Sequence, residues 1–348
     1  MSGVPPSVLS PLHRRQAGDS TLRRLLVPFD QFLADPATRE VVVNRPGEIG
    51  IENAGGWTWL DAPEMDFDRL EEIAILAGFQ TARDVDSSHP LCRSTLPDGQ
   101  RIQICRPPAT APGIISLAIR RPAQTARNVD DDDFEGLFAT ANAGPSRRSR
   151  ADGELIALYM ARDWRAFFKC ARLARKSFGF TGVTGSGKTD MLKRLLNLTP
   201  DTTRVVSLES DAEFGSIGTR NRVSLFYGDD HAKIAPEDAL RASLRMRPDE
   251  IWMQEVTGSE AFSFVRALAA GHPGGGTSWH AEENCEFDAL ELMVKQHPAG
   301  REIPDIRKFL RTYLDIIVWC ARDEDGFSAP RVWFKAAEDA GMVEALGK

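Results

Sequence analysis

Cysteine is scarce, and its spacing has no pattern. The 348 residues hold five (Cys92, Cys105, Cys170, Cys285 and Cys320), and no two form a C-x-x-C pair. Neither a disulfide framework nor a zinc site is therefore indicated, and a reducing, cytosolic setting is expected. Long apolar runs are missing as well: none reaches the roughly 20 residues of a membrane-spanning helix, so the membrane association to expect is peripheral or through partners. The N-terminus carries Pro5, Pro6, His13 and Arg14-Arg15 without an apolar core segment, which excludes a secretory signal. Positive charge is not in excess. A net charge of −7 argues against broad nucleic-acid binding, and no direct sequence-specific contact with nucleic acid is expected, although a local basic patch remains compatible. No internal repeat is visible.

What is present is a complete G-x-x-x-x-G-K-[ST] phosphate-binding loop, Gly182-Val183-Thr184-Gly185-Ser186-Gly187-Lys188-Thr189. Each residue type has a mechanical reason. Gly182, Gly185 and Gly187 let the backbone fold into a nest, so that the N–H groups around Thr184 and Ser186 point at phosphate oxygens. The helix that follows offers its positive end. Lys188 reaches the β- and γ-phosphates, and the Thr189 hydroxyl ligates magnesium. The flanks fit: 176–181 reads as a short strand, and 191–198 has helical apolar spacing. Asp190 stands where such loops often carry a small or hydroxyl residue.

The rest of the chain reads as two domains. Residues 1–20 look disordered, and 21–121 form a small α+β domain with a meandering sheet. Its helices are predicted over 22–33 and 67–78. Its strands are predicted over 40–44, 49–52, 57–60, 93–96, 101–105 and 114–119. Residues 122–150 read as a linker, with an acidic run at Asp130–Asp133 and a basic run at 147–150 that are best taken as solvated. From 151 to 348 strands and helices alternate, beginning with one strong helical stretch over 155–174. Strands follow at 204–208, 223–226, 250–254, 276–279, 315–320 and 331–334, with helices at 236–246 and 259–270. Alternation of this kind implies an α/β, doubly wound, mostly parallel sheet with its ligand at the strand ends.

A nucleotide loop only binds; hydrolysis also needs a carboxylate that orients water or holds magnesium. Two acids fall at the ends of apolar strands: Glu255 after 251–254, where a second magnesium-side acid acting through a water is expected, and Glu209 after 205–208. A glycine-rich turn and strand within 271–281 is bracketed by His272 and His280, and a histidine beside a γ-phosphate can sense its presence. Arginines gather at Arg101, Arg106, Arg120 and Arg121, and again at Arg241, Arg245 and Arg247. Arg101 and Arg120 fall on adjacent predicted strands, where both can serve one phosphate.

Taken in order, the loop, the segment 207–214, the segment 251–258 and the stretch His272–His280 resemble the four signature boxes of the bacterial secretion ATPases. The N-terminal segments 40–48 and 96–104 look like those of the VirB-type traffic ATPase of type IV secretion, the eleventh component of that system. The resemblance runs from about residue 25 to about residue 320 and implies an N-terminal α+β domain joined by a linker to a RecA-like ATPase domain. It also implies a homohexamer that uses ATP and Mg2+ at the inner face of the bacterial inner membrane. There it would work with inner-membrane secretion components, including other secretion ATPases. By the same resemblance, Lys188, Glu209, Glu255 and His280 take the catalytic roles. Thr189 takes magnesium, and Arg101 and Arg120 contact nucleotide phosphates. Three positions depart from the pattern: Ser210 follows Glu209 where an acid is usual, Thr257 stands where arginine is usual, and Asp190 replaces a small residue. They bear on hydrolysis more than on binding and leave two alternatives open. One is a nucleotide-gated assembly scaffold with weak hydrolysis. The other is a type II secretion or pilus motor, although such motors often carry a four-cysteine insert that this chain lacks.

Overall fold

A computed structural model describes residues 11–121, 130, 134–139, 150–231 and 233–342, with the backbone alone for 11–19. The chain forms two compact units. One comprises Met1–Pro122 with Asn221–Arg247, the other Ala123–Arg220 with Pro248–Lys348.

The first unit opens with helix α1 (Pro11–Ala34), strands β1 (Glu40–Val43), β2 (Gly47–Asn53) and β3 (Gly56–Ala62), and helix α2 (Phe67–Gln80). Strands β4 (Leu91–Thr95), β5 (Arg101–Cys105) and β6 (Ser116–Arg120) follow. The six strands run antiparallel in the order β3-β2-β1-β6-β5-β4, so two three-stranded meanders join along β1 and β6. Asp66 caps α2 by accepting from the Arg69 amide at 2.9 Å. Leu22, Leu26 and Phe29 of α1 and Leu70, Ile73 and Ala77 of α2 recur at helical spacing and fill the core with Val41, Ile51, Ile104 and Leu117. The helix expected from residue 22 begins at Pro11 instead, so residues 11–20, expected to be disordered, are helical. A helix anchored by Leu22 and Phe29 extends backward at the gain of one hydrogen bond per residue, without an apolar pattern to announce it.

The linker expected over 122–150 lies mostly outside the described residues, including Asp131–Asp133 and 147–149; a short 3-10 turn at Glu135–Phe138 falls within it. Helices α3 (Asp152–Met160) and α4 (Trp164–Leu173) then replace the single helix expected over 155–174. The break has a local cause. Arg162 takes a left-handed φ of 55°, and Asp163 restarts the helix by capping the Ala166 amide at 3.1 Å.

Strand β7 (Phe178–Gly182), helix α5 (Lys188–Leu196) and strand β8 (Val205–Glu209) come next. The chain then returns to the first unit with β9 (Arg222–Phe226) and helix α6 (Pro236–Ser243). Alternation alone placed 221–247 with the C-terminal domain. In the structure, contacts that fasten the segment to the first unit include the Phe226 amide donating to the Ala109 carbonyl at 2.8 Å, Arg247 Nε meeting Glu52 Oε2 at 2.9 Å, His231 Nδ1 lying 3.1 Å from the Pro108 carbonyl, and Cys105 Sγ lying 3.7 Å from Met246 Sδ.

The second unit resumes with β10 (Glu250–Met253), α7 (Glu260–Ala269), β11 (Gly276–His280), α8 (Glu286–Val294), α9 (Pro298–Arg301) and α10 (Ile306–Tyr313). It closes with β12 (Ile316–Asp323), β13 (Gly326–Phe334) and α11 (Lys335–Asp339). Its strands lie in the order β13-β12-β7-β11-β10-β8. All of these pairs are parallel except β12 with β13. Phe167, Phe178, Phe180, Leu192, Trp252, Ile316 and Phe334 sit in one core, with helices and sheet contributing alike. The expected doubly wound, mostly parallel architecture is therefore observed.

Candidate nucleotide site

The phosphate loop runs from the carboxyl end of β7 to the first turn of α5. Gly182 has φ 145°, and a Cβ there would lie 2.2 Å from the Cys320 carbonyl oxygen. Gly187, with φ 87°, precedes the helix in a left-handed conformation that glycine adopts without strain. Ser186 is buried, and its Oγ has no hydrogen-bond partner among the described residues. Val183, Thr184 and Gly185 are exposed on the outer curve of the loop, and Thr189 is half-buried at the second residue of α5.

Lys188 begins α5 and turns its ammonium back into the loop. Nζ donates to the carbonyls of Gly182 and Val183, both at 3.1 Å, and lies 3.1 Å from His280 Nδ1. Burial draws its pKa below the ordinary lysine value, while the negative charge of Glu255 works the other way. Beside it, burial pushes the Cys320 thiol up to about 11, so that group stays neutral at physiological pH.

His280 is placed by register, because β11 pairs with β7 so that His280 faces Gly182 across the ladder. Its Nε2 lies 2.9 Å from Glu255 Oε1. Since an ammonium only donates, Nδ1 is the acceptor toward Lys188, which leaves Nε2, toward the carboxylate, to carry the ring proton. Three of the expected site residues, Lys188, His280 and Glu255, thus form one line of contacts. Glu255 is two residues past β10. Its loop is stitched to β11 by the Val256 amide donating to the Ser278 carbonyl at 2.9 Å and by Ser278 Oγ donating to the Gln254 carbonyl at 2.7 Å.

The other expected residues are placed differently. Glu209 is the last residue of β8 and is 1% exposed; its Oε1 accepts from Ser207 Oγ and its Oε2 from the Phe214 amide, both at 2.9 Å. These bonds give its carboxylate a role in ordering the turn after β8. His272 is tied to the Pro248 carbonyl at 3.0 Å and is not part of the His280 line. Arg101 and Arg120 stand directly opposite each other on β5 and β6, both exposed. Asp190, which departs from the small residue usual there, is held by Arg194 at 2.7 Å one turn along α5.

Sequence reasoning missed several residues. Gln254 Oε1 accepts from the amides of Ser210, at 2.9 Å, and Asp211, at 3.3 Å, clamping the two strand ends on which Glu209 and Glu255 sit. Phe327, exposed on β13, packs against Gly187, where a Cβ would meet its ring at 3.0 Å. Arg172 is buried beneath the glycine-rich turn. It pairs with Glu250 at 2.9 Å and donates to the carbonyls of Gly274 at 2.9 Å and Leu195 at 3.0 Å and to Thr199 Oγ1 at 2.8 Å, with its guanidinium over the Trp252 ring. The available signal was an arginine at helical spacing among Phe167, Phe168 and Ala171.

The residues present fit the phosphates of a nucleotide. The cradle demands glycine, a buried hydroxyl lacks a partner, and an ammonium sits at the mouth of a helix N-terminus. Residues 149–295 match the family described as "Type II/IV secretion system protein", so loop, sheet and match together define a secretion ATPase of the P-loop class. Within that class the similarity is specific. The VirB11 protein of the Brucella suis type IV secretion system is 35% identical over 321 residues, spanning 89% of each chain. The VirB11 protein of Rhizobium radiobacter is 35% identical over 338 residues, spanning 94% of this chain and 98% of its own. The crystal structure of the Brucella suis VirB11 ATPase in complex with sulphate matches with a TM-score of 0.86 at 33% identity, over 94% of this chain and 99% of that one. The chain belongs to the VirB11 family of type IV secretion ATPases and has its two-domain, RecA-like fold. Among the described residues no helix is long and apolar enough to cross a membrane.

Proposed function

We propose that the protein binds ATP with Mg2+ and hydrolyses it, as a homohexamer, to energise substrate translocation or pilus assembly through domain motion. The observation that carries this reading is the line Lys188–His280–Glu255 at the mouth of the phosphate loop. Loop amides from Thr184 to Gly187 and the Lys188 ammonium would hold the phosphates, and the Thr189 hydroxyl, with Glu255 acting through a water, would hold magnesium. Magnesium held there would supply positive charge against the phosphates. Glu255 orients the attacking water. His280, hydrogen-bonded to Lys188 and beside Glu255, reports whether a phosphate has drawn the lysine away. Glu209 supports the strand end from inside, and Arg101 and Arg120 act as a pair on phosphate because β5 and β6 set them opposite one another. Membership of the VirB11 family supports work at the inner face of the inner membrane, alongside the other type IV secretion components and ATPases.

Purified Lys188→Ala protein is expected to lose ATP turnover by about 10³-fold; equal turnover by wild type and variant overturns the assignment. A second reading, a nucleotide-gated scaffold, draws on Thr257. Its amide and the Gly258 amide are both turned to Glu260 Oε1, at 2.5 and 2.9 Å, and Thr257 itself brings no positive charge where the resemblance puts an arginine. Hexamers that bind ATP without turning it over favour the scaffold.

A further inference from the structure

The first unit contains a cleft of about 390 Å³ whose walls carry an unusual charge balance. Arg93 projects from the exposed face of β4, and Arg83 lies in the turn after α2. Arg241 comes from α6, Arg245 follows one turn later, and Lys233 and His89 complete the basic wall. One carboxylate, Asp238, lines the cleft, and Arg241 already engages it at 2.8 Å. Asp86, next to the rim, is taken by His89 at 3.1 Å. Arg83, Arg93 and Arg245 have no carboxylate partner among the described residues. Arg245 NH1 instead donates to the Arg241 carbonyl at 3.1 Å, which holds its guanidinium along the helix. Burial, then the positive fields of Arg93, Arg241 and Arg83, push the Arg245 guanidinium below its ordinary range.

A chain with more acids than bases has ample means to neutralise such a cluster, and here it does not. Converging like charges that nothing neutralises cost stability, and a bound anion recovers that cost. Five cations (Arg83, Arg93, Lys233, Arg241 and Arg245) face one carboxylate (Asp238), so the lining, His89 left out of the count, has a net charge of about +4. The arginines approach from three separate elements, which suits bidentate contact with phosphate oxygens from several sides. The site is a bounded cleft of small-molecule size, so it suits a compact ligand better than an extended polymer backbone.

We propose that this cleft binds a compact anion bearing two or more phosphate groups, with Arg83, Arg93, Arg241 and Arg245 as its contacts. The site is separate from the nucleotide loop, and the proposal does not depend on hydrolysis there.

The test is calorimetric titration of inorganic tripolyphosphate into the full-length protein after saturation with ADP, so that the phosphate loop is filled. Wild type is expected to show one salt-sensitive site. The Arg83→Ala/Arg93→Ala double variant, which alters two exposed side chains, is expected to bind at least tenfold more weakly while keeping the heat of ADP binding. If ADP gives no heat to either protein, the nucleotide reading fails, and the tripolyphosphate difference between them still reads the cleft. Sedimentation with cardiolipin-containing vesicles distinguishes the source of the phosphates: loss of vesicle binding in the double variant assigns a diphosphorylated lipid headgroup, and unchanged vesicle binding together with lost tripolyphosphate affinity assigns a soluble ligand. Equal tripolyphosphate affinity in wild type and variant, or no second site in wild type, overturns the proposal. So does a single-stranded oligonucleotide that binds more tightly than tripolyphosphate and is lost in the double variant, since the ligand is then an extended polymer.

Discussion

Two glycine-rich stretches lie in the second unit, and the central glycine of the loop and Gly275 of the turn serve opposite needs. In the phosphate loop, Gly185 has φ 76° and nothing within 4 Å of where its Cβ would stand. In the turn at 271–276, a Cβ on Gly275 would lie 2.0 Å from the Ile251 carbonyl oxygen. Gly185 is needed for backbone shape and has open space in front of it, whereas Gly182 at the loop's start is held close by the Cys320 carbonyl. Gly275 is needed because its own chain fills the space, with Arg172 and Glu250 immediately beneath. One stretch is built to receive a ligand, and the other is built to keep β10 and β11 in place. The histidines follow the same division, His280 pointing along the loop and His272 fixing backbone.

That contrast predicts that substitutions will separate stability from chemistry. Arg172→Ala has the largest expected effect on folding. It leaves Glu250 as an uncompensated buried charge and is expected to cost about 3–5 kcal/mol in denaturant unfolding. A loss under about 1 kcal/mol would show that the network is not what holds the turn. Glu255→Gln belongs to the other side: turnover is expected to fall about 10²-fold with the unfolding midpoint nearly unchanged, because Glu255 is part-exposed and the exchange keeps its shape. Joint loss of stability and turnover would place Glu255 with the structural group. A matched glycine pair sharpens the comparison further. Gly275→Ala is expected to destabilise by about 1–3 kcal/mol through overpacking. Gly185→Ala is expected to cost about 1 kcal/mol of backbone strain while weakening nucleotide binding more than Gly275→Ala does. The reverse ranking in affinity breaks the distinction.

The sequence was most legible where a local rule and the fold agree. Apolar strands carried Glu255 and His280 to the end of the sheet where β7 releases the loop, so the strand-end rule found the right neighbours. It did not tell which way a strand-end side chain turns, and Glu209 turns inward to Ser207 and Phe214. The break between α3 and α4 was hidden because the aromatic spacing continues across it, while Arg162 alone reverses the backbone. Arg241 and Arg245 stood out one helical turn apart. Their convergence with Arg83 and Arg93 comes from tertiary packing that brings α6 beside β4, and spacing along the chain holds no trace of it. The attachment of 221–247 to the first unit was illegible for the same reason, since alternation reports element type and is silent about which core an element joins.

The smallest predicted effect tests whether the loop lysine is as desolvated as its position implies. Burial holds the Lys188 pKa below the ordinary 10.5, and Glu255 offsets only part of that. A phosphate favours the ammonium, so the pKa of the nucleotide-bound state is the higher of the two. Binding is therefore at full strength below the pKa of the free protein, and it weakens as pH rises through the window between the two values, because a proton must then be taken up. ADP affinity measured from about pH 7 to about pH 10 is expected to decline at the alkaline end, by at most about tenfold per unit, beginning below the range of an exposed lysine. Lys188→Arg, whose guanidinium stays charged throughout, is expected to bind more weakly but with a flat profile. If both proteins decline in parallel, the titrating group lies elsewhere, and the inward-turned ammonium between Gly182, Val183 and His280 is not what the phosphate draws out.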